Sequence, residues 1–212
     1  VGTVKRVIYD ISMGIHTAMP VYKNKDEKRP AFERTADFPT NGARETRLHM
    51  DAHTGTHVDA PLHMVEGGAT IETLSLERLL RPCRVIDLTH VEQAIHAADL
   101  RPAQPQKGEF ILLKTRNSFA DTFDFEFVYL SADGAEYLAE CGIDGVGIDA
   151  LGVERAQPEH PTHKALFGIG AIIIEGLRLR AVEPGEYEMI AAPLPLIGID
   201  AAPARVLLVR EA

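Results

Sequence analysis

Residues 51–63 read DAHTGTHVDAPLH, and they constrain this 212-residue chain more than any other stretch. His53, His57, Asp59 and His63 fall within eleven positions. Each buried imidazole needs its own hydrogen-bond partner, so a purely structural segment has little use for three. Imidazole nitrogen and carboxylate oxygen are the usual donors to Zn²⁺ and its neighbours. His53 and His57 are four apart, a helical spacing, but the intervening Thr-Gly-Thr is a poor helix former. The pattern predicts a turn at a strand end, with Gly55 allowing close backbone approach. Asp59, two positions beyond His57, returns to the same face of an extended segment. Pro61 then fixes the chain before His63. Three ligands leave a coordination position open, as in catalytic rather than structural zinc sites, and water there becomes acidic. A fourth group, His63, is free to move protons.

The rest of the chain reads as an α/β fold, with α+β as the alternative: one domain over residues 1–212 with a mixed, β-rich, partly closed sheet and few helices. VKRVIYDI (4–11), CRVIDLTH, GEFILLKT, IDGVGID, GAIIIEGL, GEYEMIAAPLPL and ARVLLVRE predict strands, and ARETRLHMDAH a strand entering the His cluster. SADGAEYLAECG predicts a helix capped by Ser131 and ended by Gly142. TIETLSLERLL and VEQAIHAADL suggest two more helices. Residues 12–34 show no helical or strand period, and their Pro, Lys and Asp content predicts a long exposed loop. Loops of that length are often functional.

Composition narrows the classes of function. The net charge of −9 gives no basic face for phosphate neutralisation, so no nucleic-acid partner is expected. No apolar run approaches a membrane span, and VGTVKRVIYDIS reads as a strand rather than a signal peptide. Cys83 and Cys141 form no metal or disulfide pattern, and a cytoplasmic location is expected.

Glu175 interrupts the apolar run AIIIEGL, where a buried carboxylate without a partner would be costly and metal coordination removes the cost. His160 and His163 lie three apart, and residue type alone does not choose between them. Lys114 and Arg116 read as a solvated strand end. Asp149 reads either as an outer partner of a His ligand or as a turn former.

The string HTGTHVDAPLH resembles the HxGTHxDxPxH signature of the cyclase-type metal-dependent hydrolases, the family of bacterial kynurenine formamidase and isatin hydrolase. All seven fixed positions are present. The segments YDIS, MPVY and HKALFGIGAIIIEGL resemble the family elsewhere in the chain. The resemblance implies the family's swivelling β/β/α fold and two divalent ions, Zn²⁺ with Mn²⁺ compatible. It implies His53, His57, Asp59 and Glu175 around the first ion. Asp59 and Glu175 would bridge to a second, with His163, twelve residues before Glu175, as its own ligand. His63 would donate and accept the proton. It also implies a homodimer or higher homo-oligomer, with a small molecule as the substrate. Kynurenine formamidases carry Trp-Pro-Gly where this chain has PVYKNK, so Tyr22 takes the aromatic, substrate-binding position.

The leading expectation is hydrolysis of the C–N bond of a small amide, an aryl formamide such as N-formylkynurenine, by attack of metal-bound hydroxide. Opening of a cyclic amide uses the same atoms. A binding module without turnover would not need His63. A dehydratase or cyclase would need a second dedicated acid, and the sequence offers none.

Overall fold

The computed structural model describes residues 5–211. In chain order the strands and helices are β1 (Arg6–Asp10), β2 (Ala31–Ala36), α1 (Phe38–Asn41), β3 (Glu45–His49), β4 (His57–Asp59), β5 (Leu80–Asp87), β6 (Ala94–Ile95), α2 (Ala97–Leu100), β7 (Phe110–Lys114), β8 (Tyr129–Leu130), α3 (Ala132–Cys141), β9 (Gly145–Ile148), α4 (Pro161–Gly168), β10 (Ile172–Glu175), β11 (Gly185–Pro193) and β12 (Ala201–Glu211). The strand expected over 4–11 is β1, with residue 4 outside the described residues.

The main sheet runs β1-β12-β11-β5-β7-β9-β10-β4, and β4 pairs back onto β12. Seven strands therefore close on themselves, and β1 hangs on the outside of the ring. The layer expected to be partly closed is closed, because β12 is long enough to serve two neighbours on one edge. Its residues 201–203 pair with β4 and its residues 207–211 with β1. β5, β7, β9 and β10 are parallel, while β4, β11 and β12 join by antiparallel pairing.

Alternation sorts side chains into two cores. Phe110, Leu112, Ile172 and Ile174 point into the ring with Val58, Val85 and Val206. Ile111, Leu113, Val146 and Ile173 point outward and pack beneath Leu138 of α3 and Leu166 of α4. Parallel strands covered on both faces read as continuous apolar runs, as FILLK and IIIE do. By the same parity His57, Asp59 and Glu175 fall on the outer face, beside α4.

Helix α3 forms as expected: the Ser131 hydroxyl accepts from the Gly134 N–H at 3.3 Å, and Gly142 closes the helix in the left-handed region. Two other expected helices are absent. VEQAIHAADL splits into β6, paired with β8, and the single turn α2, capped where the Asp99 carboxylate accepts from the His96 N–H at 2.8 Å. TIETLSLERLL forms two 3₁₀ turns and leads into β5, because its apolar residues share no face: Ile71 and Leu79 are buried while Leu76 is exposed. Residues 12–34 are not simply an exposed loop, since Met13, Met19 and Val21 are buried. Lys114 is not solvated. It is buried, and its Nζ donates to the Val182 carbonyl at 2.7 Å. Asp149 supports no imidazole. It accepts from the Thr115 N–H at 2.8 Å and the Ser118 hydroxyl at 2.6 Å, bracing the loop after β7.

Candidate metal centre

β4 and β10 run side by side with His57 opposite Glu175 and Asp59 opposite Ile173. Two tight backbone segments deliver this register. Gly55 and Gly176 both adopt left-handed φ, at +65° and +72°, and the Thr56 hydroxyl donates to the Gly176 carbonyl at 2.6 Å. A Cβ on Gly176 would overlap the Gly55 carbonyl oxygen, which backbone cannot give way to accommodate. Gly176→Ala is therefore expected to cost about 1–3 kcal/mol, read as a fall in Tm of about 2–4 °C per kcal/mol.

Around Asp59 the side chains converge. His53 Nδ1 lies 3.0 Å and His57 Nε2 3.4 Å from Asp59 Oδ1. His57 Nε2 is 3.3 Å from Glu175 Oε2. His163 Nε2 reaches Glu175 Oε1 at 3.5 Å and Asp59 Oδ2 at 3.8 Å. Ligand atoms of His53, His57 and Asp59 lie within 4.8 Å of one another, and so do those of Asp59, His163 and Glu175. Asp59 belongs to both groups.

Four buried atoms here have no hydrogen-bond partner: His57 Nε2, both carboxylate oxygens of Asp59, and His163 Nε2. Leaving each unsatisfied would cost about 1–3 kcal/mol. Their other ends are held. His57 Nδ1 donates to the Gly55 carbonyl at 2.9 Å, and His163 Nδ1 is hydrogen-bonded to Glu154. Both imidazoles thus present Nε2 to the same space, a nitrogen-and-oxygen donor set that suits Zn²⁺ or Mn²⁺.

Charge agrees with this reading. Burial opposes protonation of His57, but the Asp59 and Glu175 carboxylates outweigh it and push the imidazole up to about 10. His163 is pushed up to about 10 against burial by Glu154, Glu175 and Asp59. Asp59, though fully buried, is held below the usual carboxylate range by the surrounding imidazoles. The buried carboxylates therefore favour a cation among them. His63 differs: burial draws it below the ordinary imidazole value, leaving it neutral near pH 7.

The residues expected from sequence to bind metal, protons or substrate, His53, His57, Asp59, His63, His163, Glu175 and Tyr22, come together here. His63 sits at the edge, its ring centroid 4.1 Å from that of His53 and 5.5 Å from that of His163. His163, on α4, is buried and faces Asp59 and Glu175, whereas the half-exposed side chain of His160 reaches only Glu154, at 3.2 Å. Tyr22 lines the same cavity, of about 390 Å³, and packs edge-on against Phe123 with centroids 5.6 Å apart.

Two residues escaped the sequence reading. Glu154 is buried, holds His163 Nδ1, and accepts from the Thr162 N–H at 3.2 Å and from Gln157 Nε2 at 2.9 Å. Asp200, just before β12, lies 2.9 Å from His53 Nε2 and 3.5 Å from His63 Nδ1. Neither sits in a motif, and only the twelve-residue link from His163 to Glu175 pointed toward this half of the site. Carboxylates behind His ligands fix the tautomer, and losing one typically costs about 10–100-fold in metal affinity. Glu154→Gln is expected to weaken metal binding at the His163 side of the site by that amount, measured by competition with a chromogenic chelator.

A family model described as Cyclase matches residues 9–155. A kynurenine formamidase of Salinibacter ruber is 32% identical over 204 residues, covering 95% of this chain and 96% of that protein. The chain belongs to the Cyclase family. Within it, the solved structure of a predicted metal-dependent hydrolase from Bacillus stearothermophilus is similar at 56% identity, with a TM-score of 0.90, covering 97% of this chain and 98% of that one. Isatin hydrolase A from Labrenzia aggregata shares the fold, at 21% identity and a TM-score of 0.86 over 98% of this chain and 94% of that one. The chain is a hydrolase of the Cyclase family with a mixed α/β fold. Among the described residues no helix is long and apolar enough to cross a membrane.

Proposed function

We propose that this hydrolase is a two-metal amidase that cleaves an aryl formamide of the N-formylkynurenine type. The observation that carries the reading is the sharing of Asp59 between two ligand groups, one completed by His53 and His57 and the other by His163 and Glu175. Divalent ions held by these two groups would need anionic charge, which the Asp59 and Glu175 carboxylates would supply. Bound divalent ions would polarise the amide carbonyl and acidify water. The protein's own groups do the rest. His63, neutral and at the cavity edge, takes the proton of the attacking water and returns it to the departing amine nitrogen. Asp200 orients both His63 and His53. Tyr22 and Met64 form an apolar wall for the ring.

Opening of a cyclic amide is the second reading, favoured by Tyr22 standing where kynurenine formamidases carry Trp. One assay separates them. N-formylkynurenine should release one formate per arylamine formed, on the zinc-loaded protein. Turnover of isatin without turnover of N-formylkynurenine would replace the first reading with the second.

The proposal includes a homodimer in the cytoplasm. β2 and β3 pair only with each other among the described residues, and their paired Phe32 and Leu48 are exposed. A lone two-stranded hairpin is marginal in water, which favours cover from a second copy. Leu48→Asp is expected to halve the mass seen by light scattering, and an unchanged mass would count against this surface. The free thiols of Cys83 and Cys141 suit a reducing compartment.

A further inference from the structure

The cavity has a floor and a mouth of opposite character. Glu175, Glu154 and the imidazoles lie at its floor, and Lys23, Lys25 and Lys28 stand at its mouth with Asp51. Asp51 is taken by Lys28, at 3.1 Å. Lys25 touches only Glu27, at 3.5 Å in an exposed pair that is worth little. Lys23 forms no ion pair among the described residues, and its Nζ lies 5.3 Å from the centre of the Tyr22 ring. On a chain of net charge −9, the mouth of this cavity therefore carries a local excess of cation.

The backbone holds Lys23 there under strain. Lys23 and Asn24 adopt left-handed φ, +58° and +50°, in succession within the first of two consecutive 3₁₀ turns, Tyr22–Asn24 and Asp26–Lys28. Side-chain-bearing residues avoid this region, and where they accept it they cluster at ligand clamps and active sites. The catalytic half of the pocket has no use for these lysines: its carboxylates already have imidazole partners.

We propose that Lys23, flanked by Lys25, binds a carboxylate at the end of the substrate remote from the scissile amide, so that the enzyme selects anionic aryl amides. Lys23 is the specificity-determining residue and Tyr22 beneath it is the wall along which the ring lies. The cavity lining contains lysines and no arginine, so recognition is by point charge rather than by a bidentate fork. This rests on the amidase reading above.

The test compares 4-formamidobenzoate with 4-formamidobenzamide, which has the same shape without the charge, on the zinc-loaded full chain. At low salt kcat/KM should favour the anion by about tenfold or more. The preference should fall toward unity in Lys23→Met and persist in Lys23→Arg. Lys107→Met, which removes a charge away from the cavity, should keep it. Equal turnover of the two compounds, or an undiminished preference in Lys23→Met, overturns the proposal and leaves the amidase reading standing. If neither compound is hydrolysed the amidase reading has failed instead, and calorimetric binding of the same pair decides. Anion-selective binding lost in Lys23→Met upholds the lysine mouth, and equal or absent binding overturns it.

Discussion

Asp59→Asn is expected to abolish metal retention and to lower turnover by at least about 10³-fold, well beyond the roughly 10–100-fold effect of an outer partner. The reason is geometric. Asp59 is fully buried, and its two oxygens face different imidazoles: Oδ1 lies 3.0 Å from His53 and 3.4 Å from His57, and Oδ2 lies 3.8 Å from His163. Glu175 also reaches an imidazole of each group, His57 and His163, but not His53, so among the described residues only Asp59 reaches all three. Asparagine keeps the volume and removes the charge, so a loss of function cannot be assigned to a cavity. Elemental analysis of the purified variant, beside its circular dichroism spectrum, separates loss of metal from loss of fold. Two ions retained in Asp59→Asn would remove Asp59 from its assigned place.

His63→Gln should behave differently. Turnover should fall by about 10²–10⁴-fold, the usual worth of a general acid–base group, with both ions retained. His63 lies outside the two buried groups that share Asp59 and joins only His53 and Asp200. Its acid–base role also sets a pH signature. Burial lowers His63 below the ordinary value of 6.5, so the neutral form that accepts a proton is present near pH 7 and is lost as pH falls through that lowered value. The acid limb of kcat/KM should therefore lie below pH 6.5 and should be absent in His63→Gln. Bound cations would move it lower still, in the same direction. A variant with unchanged turnover would assign the proton to another group.

The half of this site on β4 was legible because its chemistry is local. His57 and Asp59 at i and i+2 share a face in any extended segment, and Glu175 stood out as the one charge in an apolar strand. The other half was not. His163 lies on α4, eight residues that begin at Pro161 and are too short to show a helical period. Glu154 looked like any acidic loop residue until α4 folded over it. Asp200 lies 147 positions from His53, and what joins them is the closing pair β12–β4, a long-range register that no local pattern encodes. The same closure explains why the sheet was expected to be only partly closed. Alternation identifies which face of a strand is buried, but it does not name the neighbour across the gap. The failed helices had a related cause: leucine spacing in residues 70–80 suggested a face, but Leu76 is exposed and Leu79 is buried, so packing overrode pattern.

The most direct test of the account is the number of divalent ions per chain. Protein purified without added metal, then loaded with Zn²⁺ and freed of excess, should carry two ions by elemental analysis. A chelator should remove them together with N-formylkynurenine turnover, and Zn²⁺ should restore both. Saturation at one ion per chain would contradict the sharing of Asp59, and no ion retained under any loading condition would contradict the metal centre itself.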